Sequence, residues 1–244
     1  MFHSRFKNFW AIIVYIVLAF CSASCLSSGD LSDSDKKLHN ESLLVKNPER
    51  WKNNIQKFKE IDVNNPPPLN EVLFVGSSSI VGWDTQKWFS DTKTINRGFG
   101  GSYICDSVYY ADDIILPYKP KTIVFYAGDN DIADNKSPQM LLADFKVLVS
   151  VIRKTFPETR IIVVSTKPSI DRWKYWPKMK EANTLINEYC KTQKEIYFVD
   201  VSKVMLDETG YPRKELFKED GLHINEKGYE LWTSLVKPLI EKNN

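Results

Sequence analysis

Histidine is scarce in this sequence, and its scarcity restricts where a general base can lie. Only His3, His39 and His223 occur. His3 lies in an apolar N-terminal segment and His39 in a polar stretch, whereas His223 follows Asp220 by three residues. One local turn could aim that carboxylate at an imidazole nitrogen, which would fix its tautomer and stabilise the imidazolium. No cluster of histidine or cysteine accompanies the pair, so neither a zinc site nor another cofactor is predicted.

Two further absences exclude whole classes of function. Neither Gly-x-x-x-x-Gly-Lys-Ser/Thr nor Gly-x-Gly-x-x-Gly occurs, so no phosphate-binding loop is predicted. Arg5 and Lys7 are the only charged residues among residues 1–25, so without that segment the net charge of +2 falls by two, to zero. A neutral chain lacks the basic footprint of a nucleic-acid binder, and no nucleic-acid partner is predicted.

Long apolar runs are also missing. The apolar run from Phe9 to Phe20 is short for a membrane span but typical of a signal-peptide core. Residues 1–25 are therefore predicted to be a signal peptide or a lipoprotein signal, and the protein to be exported to the periplasm or anchored in the cell envelope of a bacterium. Ser22-Ala23-Ser24-Cys25 is similar to a lipobox whose Cys25 would carry a lipid. Ordinary cleavage nearby and an uncleaved anchor are the alternatives.

The remaining chain divides into a short tether and one domain. Residues 26–47 are polar and are predicted to be a flexible tether. Residues 48–244 contain no repeat and no second linker, which predicts a single domain. An amphipathic helix is predicted at its start, before the prolines at 66–68, from apolar residues at helical spacing: Trp51, Ile55, Phe58 and Ile61.

Strand and helix signals then alternate, which predicts an α/β fold. Such alternation favours right-handed crossovers and a parallel sheet covered by helices on both faces, a three-layer sandwich. The sheet has five predicted strands: 72–75, 94–96, 122–127, 161–165 and 196–199. Helices are predicted at 108–115, 141–152, 182–190 and 232–239.

Serine is abundant where the first strand ends, in Gly76-Ser77-Ser78-Ser79. In an open α/β sheet ligands bind at the carboxyl ends of the strands, so one of these hydroxyls is the candidate nucleophile. A serine needs a base and donors for an oxyanion before it is reactive. Glycine-containing segments follow the next two strands as well, and they should meet the serines at one edge. Taken singly, each such segment is more often only a turn.

Four segments together resemble, in order, the sequence blocks of the SGNH hydrolases, the GDSL esterase/lipase family: 76–80, 96–102, 126–131 and 220–223. The resemblance spans about residues 50 to 240 and implies the flavodoxin-like SGNH hydrolase fold. It implies that Ser78 is the nucleophile, with His223 and Asp220 completing the triad. Ser77 stands where the family has aspartate, but the spacing from Gly76 selects Ser78. By the same resemblance, the oxyanion hole comprises Ser78, Gly101 and Asn130.

The expected function is that of an exported serine esterase that forms an acyl-enzyme. We expect its substrates to carry small acyl groups, such as acetyl on a glycan, because the sequence has no long apolar stripe that would bind a fatty chain. The alternatives are a lipase, lysophospholipase or thioesterase of the same family, and a non-catalytic carbohydrate-binding protein on the same frame.

Two features are left open by the sequence. The segment from Lys167 to Pro177 could form a pocket wall in which Arg172 or Lys167 contacts substrate, or its aromatic residues could pack over the next helix. Cys105 and Cys190, the only cysteines after residue 25, could form a disulfide or remain buried thiols.

Overall fold

A parallel five-stranded sheet organises the part of the chain that this computed structural model describes, residues 31–242. Its strands are β1 (Val72–Gly76), β2 (Thr94–Gly98), β3 (Thr122–Tyr126), β4 (Arg160–Val164) and β5 (Ile196–Val199). The order β2-β1-β3-β4-β5 is the flavodoxin-like order. The predictions of an α/β fold and of five parallel strands are confirmed. The predicted signal at 1–25, with Cys25, lies outside the described residues.

Helices cover both faces of the sheet. Their bounds are α1 (Asp33–Val45), α2 (Lys52–Asn64), α3 (Ser78–Val81), α4 (Thr85–Trp88), α5 (Ile104–Tyr109), α6 (Ala111–Ile114), α7 (Asp129–Ala133), α8 (Pro138–Thr155), α9 (Trp176–Lys191), α10 (Ser202–Met205) and α11 (Glu226–Glu241). Short 3-10 turns lie at Pro48–Trp51, Leu116–Tyr118, Trp173–Tyr175 and Lys214–Leu216. Among residues 31–242, no helix is both long enough and apolar enough to span a bilayer.

Alternate residues of β1 pack into two hydrophobic cores, one on each face of the sheet. Leu73 and Val75 pack on one face with Phe145 of α8 and Ile186 of α9. Val72 and Phe74 pack on the opposite face, where Trp232 of α11 is fully buried. Successive side chains of a strand point to opposite faces, so a strand buried on both sides reads as a continuous apolar run. This is why the strands could be located from sequence.

The tether predicted at 26–47 is wrong for most of its length, because residues Asp33–Val45 form helix α1. Ser32 caps this helix by accepting a hydrogen bond from the Asp35 amide. The helix packs on α8 through polar contacts: His39 Nδ1 lies 2.6 Å from Asp144 Oδ1, and Ser42 Oγ donates to Asp144 Oδ2 at 2.5 Å. A prediction based on apolar spacing missed a helix that is held mainly by buried hydrogen bonds.

Lys136 is buried at the centre of that polar contact. Its Nζ lies 3.1 Å from Asp131, 3.6 Å from Asp144 and 3.1 Å from the sulfur of Cys105. Cys105 and Cys190 are both buried free thiols, in agreement with the second of the two alternatives. Burial raises the pKa of both thiols to about 12, so they are held in the neutral form.

Two predicted helices have different bounds in the structure. The helix expected at 108–115 is divided into α5 and α6, which meet at Tyr110, where the backbone leaves helical geometry. The helix expected at 182–190 begins earlier, at Trp176, with Pro177 in its first turn. Proline is favoured in the first turn of a helix because the missing N–H has no partner there in any case.

Replacing Asp144 with alanine should destabilise the protein strongly. The substitution leaves Lys136 with one carboxylate instead of two and removes the partner of His39 and Ser42. Breaking a buried charge pair typically costs about 3–5 kcal/mol, which urea unfolding would measure. Glu188→Ala is the matched control, because it breaks an exposed pair with Lys191 and should cost less than about 1 kcal/mol. Equal losses for the two variants would contradict this account of α1.

Candidate active site

Ser78 begins helix α3 immediately after the first strand. Gly76 has φ +140°, and a Cβ atom there would lie 1.8 Å from the carbonyl oxygen of Tyr126, so the turn requires glycine. Ser77 and Ser79 are fully buried, whereas Ser78 is only half-buried. Of the three consecutive serines, Ser78 alone can be reached by a substrate.

The loop after β2 lies beside Ser78. The Phe99 amide donates to the Gly76 carbonyl at 2.9 Å, which ties this loop to the serine turn. A Cβ atom on Gly100 would lie 3.7 Å from the Cβ of Ser78, and Gly101 adopts φ +81°. The loop therefore brings Gly100 to the serine at the carboxyl edge, with Gly101 directly after it.

Asn130 reaches the same loop from the third strand. It lies in α7, directly after the loop that follows β3, and its Nδ2 donates to the Ser102 carbonyl at 3.1 Å. An amide nitrogen carries two hydrogens, so one hydrogen remains for another acceptor. Ser78, Gly101 and Asn130 thus belong to one cluster at the carboxyl edge, joined by main-chain and side-chain contacts, as the order of the sequence blocks predicts.

Residues for which the sequence did not indicate this role hold Asn130 in place. Its backbone amide donates to Asp129 at 3.1 Å, and its side-chain oxygen accepts from Arg172 Nη1 at 2.9 Å. Lys167 Nζ lies 2.9 Å from Asp129, and both side chains are buried. Burial disfavours ionised Asp129, but the charges of Lys167 and then Arg172 outweigh this cost and keep its pKa below the ordinary value.

The suggestion that Lys167 contacts substrate is wrong, because Lys167 is 1% exposed and its Nζ bonds to Asp129 and Tyr126. The aromatic residues of the same segment pack partly over the next helix, with Trp173 stacked on Trp176 at 6.3 Å. Arg172 points to Asn130 and not into solvent. The segment therefore contributes both packing and a site contact.

The N-terminal segment also reaches the site, which the sequence did not indicate. A Cβ atom on Gly101 would lie 3.3 Å from the ring of Trp51. The indole nitrogen of Trp51 donates to Asp106 at 3.1 Å, and the Tyr103 amide donates to the same oxygen at 2.8 Å. The periodicity of Trp51 marked it only as one face of a helix, whereas the structure places its ring against the loop after β2.

His223 and Asp220 form the contact that their spacing predicts. His223 Nδ1 lies 2.6 Å from Asp220 Oδ2, and the backbone amides of Leu222 and His223 each donate to Asp220 Oδ1 at 2.9 Å. The bond from the His223 ring, followed by that from the Leu222 amide, holds the pKa of Asp220 well below its usual range. A carboxylate that stays ionised can orient the imidazole and stabilise its charged form.

Two contacts bring the loop of His223 to the serine edge. The amides of Ile170 and Asp171 donate to the Gly221 carbonyl at 2.9 and 3.1 Å, which joins it to the segment that carries Arg172. On the other side, the Tyr229 hydroxyl donates to the Ser79 carbonyl at 3.0 Å. Among residues 31–242, the His223 ring bonds only to Asp220, so its Nε2 is unoccupied and no hydrogen bond joins it to Ser78. Such contacts often tighten only when substrate binds.

Comparisons with known proteins show the family of this chain. The model of the GDSL-like lipase/acylhydrolase family matches residues 76–231, and the chain belongs to that family. A search of curated proteins found no match. The match begins at Gly76, so the segment that contains Trp51 lies outside it.

Solved structures share the fold at low sequence identity. One from Streptococcus pneumonia is 22% identical, covers 86% of this chain and 100% of that chain, and has a TM-score of 0.70. A GDSL-like lipase from Bacteroides thetaiotaomicron is 20% identical and has a TM-score of 0.67; the match covers 78% of this chain and 98% of the lipase. A mutant of an acetyl-xylooligosaccharide esterase from Geobacillus Stearmophilus is 14% identical and has a TM-score of 0.58; the match covers 71% of this chain and 95% of the esterase. Family membership, with an esterase among the structural neighbours, supports an ester-hydrolysing enzyme.

Replacing Gly76 with alanine should prevent stable folding, whereas Gly100→Ala should not. At Gly76 the added methyl group meets the backbone of β3, and at Gly100 it meets only ordinary contacts. The expected loss for Gly76→Ala is at least about 4 kcal/mol, against about 1 kcal/mol or less for Gly100→Ala. Thermal unfolding of the two variants would test this, and a stable Gly76→Ala protein would contradict the turn geometry.

Proposed function

We propose that the protein is a serine esterase that works through an acyl-enzyme, with Ser78 as nucleophile, His223 as base and Asp220 as its orienting partner. The observation that carries this proposal is the 2.6 Å contact between His223 Nδ1 and Asp220, which leaves Nε2 as the basic nitrogen. A neutral imidazole with a hydrogen on Nδ1 has its lone pair on Nε2. Further support comes from the contacts that tie the loop of His223 to the segment after β4 and the helix after it to the serine turn.

In the first step, Ser78 attacks the ester carbonyl and His223 Nε2 takes the hydroxyl proton. The imidazolium then protonates the leaving alcohol, which departs and leaves the acyl group on Ser78. In the second step, His223 removes a proton from water as the water oxygen attacks the acyl carbon. The imidazolium then returns this proton to the Ser78 oxygen as the bond to the acyl carbon breaks, which releases the acid and restores the serine. Asp220 remains ionised throughout and stabilises the charged ring.

The tetrahedral oxyanion would be held by three donors: the amides of Ser78 and Gly101 and the Nδ2 of Asn130. Two observations support this assignment: Gly100, the neighbour of Gly101, lies beside Ser78, and Asn130 has one amide hydrogen that Ser102 does not use. Donors that are fixed before reaction need no reorganisation as charge develops, which is the main source of catalysis in such sites.

For the substrate we propose a small acyl ester on a glycan, presented to an exported enzyme. Trp173 is half-buried, with the partly exposed ring of Tyr211 5.1 Å away and at a steep angle to it. Trp173 directly follows Arg172, which bonds to Asn130, so the aromatic corner lies next to the proposed oxyanion hole. Aromatic rings of this kind can contact the C–H face of a sugar. The acetyl-xylooligosaccharide esterase among the neighbours acts on such a substrate. Export itself rests on the sequence of residues 1–25.

Hydrolysis of chromogenic acetyl, butyryl and octanoyl esters by residues 30–244 should be fastest with the acetyl ester. Ser78→Ala should lower kcat by about 10³-fold or more, because no other group replaces the nucleophile. Ser79→Ala is the matched control: Ser79 is the adjacent serine and its hydroxyl is buried, so its removal should leave turnover near the parental rate. Activity that survives Ser78→Ala would contradict the assignment.

The alternatives predict different results in the same assay. Fastest turnover of the octanoyl ester would indicate a lipase. No turnover, together with no labelling of Ser78 by a serine-reactive fluorophosphonate, would indicate a carbohydrate-binding protein on the hydrolase frame. Labelling without turnover would indicate that Ser78 is activated but that these three esters are not its substrates.

On the acid side of its pH profile, kcat/KM should depend on the ionisation of a single group. Protonated His223 cannot act as a base, so kcat/KM falls as pH decreases. Hydrogen bonds from His223 and Leu222 keep the pKa of Asp220 well below its usual range, so Asp220 stays ionised while His223 takes up its proton. The expected slope is therefore about one decade per pH unit. A slope of two, or a flat rate from about pH 5 to 8, would argue against His223 as the only titrating base.

A further inference from the structure

Arg172 makes a contact that the proposed mechanism does not use. Its Nη1 donates to the side-chain oxygen of Asn130 at 2.9 Å, and its side chain is 17% exposed. An asparagine amide can lie in either of two orientations that exchange oxygen and nitrogen. Because arginine can only donate, its partner atom must be the oxygen, and the Asn130 nitrogen is held on the other side, toward the loop of Gly101 and Ser102.

The charges behind Asn130 do not balance. Lys167 Nζ lies 2.9 Å and Arg172 Nη1 3.5 Å from the same oxygen of Asp129, so two cations share one carboxylate. Tyr126, which accepts from Lys167, adds no charge, because burial raises the pKa of its phenol to about 12. The cluster of Asp129, Lys167 and Arg172 therefore carries a net charge of +1, with all three side chains at most 17% exposed.

On the other side of Asn130, Asp131 is paired with Lys136 at 3.1 Å, and two further carboxylates lie near the cluster. Asp134 is close enough for Arg172 to contribute to its lowered pKa, but Lys46 Nζ lies 2.6 Å from the Asp134 carboxylate. Asp171 belongs to the same segment as Arg172 but is exposed, so water screens its charge. Within the cluster of Asp129, Lys167 and Arg172, one positive charge more than negative therefore lies next to the amide proposed to receive the oxyanion.

We propose that Arg172 is the positioning residue of the oxyanion hole: it fixes the orientation of the Asn130 amide and supplies, beside Lys167, a second positive charge behind it. This inference rests on the proposed function. A hydrogen bond to the amide oxygen also polarises the amide and makes its N–H a stronger donor. A charge held in a partly buried site acts more strongly on a developing oxyanion than it would in water.

A purely structural role would make a different prediction. If Arg172 only joined its own segment to α7, its removal would lower stability without a specific effect on kcat. If Arg172 contacted substrate directly, its removal would act whether or not Asn130 were present. If it acts through Asn130, its effect should depend on Asn130, which a double-mutant cycle can measure.

The cycle compares Arg172→Met, Asn130→Ala and the double variant, with 4-nitrophenyl acetate as the probe. We expect Arg172→Met to lower kcat by about 10–100-fold with little change in KM, because the lost interaction forms in the transition state. Asn130→Ala should lower kcat by about 10²–10³-fold, and the double variant should be no slower than Asn130→Ala alone. Equal effects of Arg172→Met in both backgrounds, or an unchanged kcat, would overturn the proposal.

Two further variants separate charge from folding. Arg172→Lys keeps the charge and loses the planar fork, so its kcat should lie between those of the wild type and Arg172→Met. A lysine variant no faster than the methionine variant would overturn the role of the charge. Lys174→Met removes one exposed positive charge two residues away and should leave kcat unchanged. Urea midpoints for all variants would confirm that kcat is measured on folded protein.

Failure of this inference can be distinguished from failure of the proposed function. Labelling of Ser78 by a fluorophosphonate and loss of turnover in Ser78→Ala test the esterase itself. If both succeed and the cycle is additive, only the role of Arg172 is rejected. If the wild type is neither labelled nor active, the proposed function fails, and the inference that rests on it falls with it.

Discussion

The register of three strands at Gly76 sets the position of every candidate donor. Gly76 of β1 pairs with Gly98 of β2 and with Tyr126 of β3. The serine turn, the loop of Gly101 and the loop of Asn130 each leave the sheet at or just after this level. Because Gly76 approaches the Tyr126 carbonyl more closely than any Cβ atom allows, this register admits only glycine at that position. The backbone of the sheet thereby positions three loops that are distant in sequence.

The base reaches the same edge by a separate route. The loop of His223 precedes α11, whose Tyr229 bonds to the Ser79 carbonyl, and its Gly221 carbonyl accepts two amides from the segment after β4. That segment also carries Arg172, which bonds to Asn130. Contacts with the segment after β4 thus connect the loop of the proposed base to the loop of the proposed oxyanion donor Asn130. The Tyr229 contact ties the helix after the proposed base to the serine turn.

The sequence predicted the sheet from its apolar runs, and it predicted the candidate residues from the family resemblance together with their positions after the strands. Strands such as β3 are buried on both faces and form continuous apolar runs, and Ser78, Gly101 and Asn130 follow strands directly. Asp220 and His223 are only three residues apart, so their contact is local. Helix α1 was missed because its buried contacts, at His39 and Ser42, are polar. Arg172 and Trp51 act on residues 42 and 50 positions away, and no local pattern in a single sequence shows such pairing.

The buried charges on either side of Asn130 are best understood as a means of positioning. Asp129 faces Lys167 and Tyr126, whereas Asp131 faces Lys136 in the polar contact between α1 and α8. Burial, only partly offset by Lys136, raises the pKa of Asp131 to about 7, which shows how costly such a charge is here. A buried ion pair seldom stabilises a protein more than apolar residues of similar size would, but its geometry is far more specific. Two such pairs, anchored to different parts of the fold, leave the backbone of Asn130 little freedom to move. With its side-chain oxygen held by Arg172, the remaining amide hydrogen has a fixed direction before any substrate arrives.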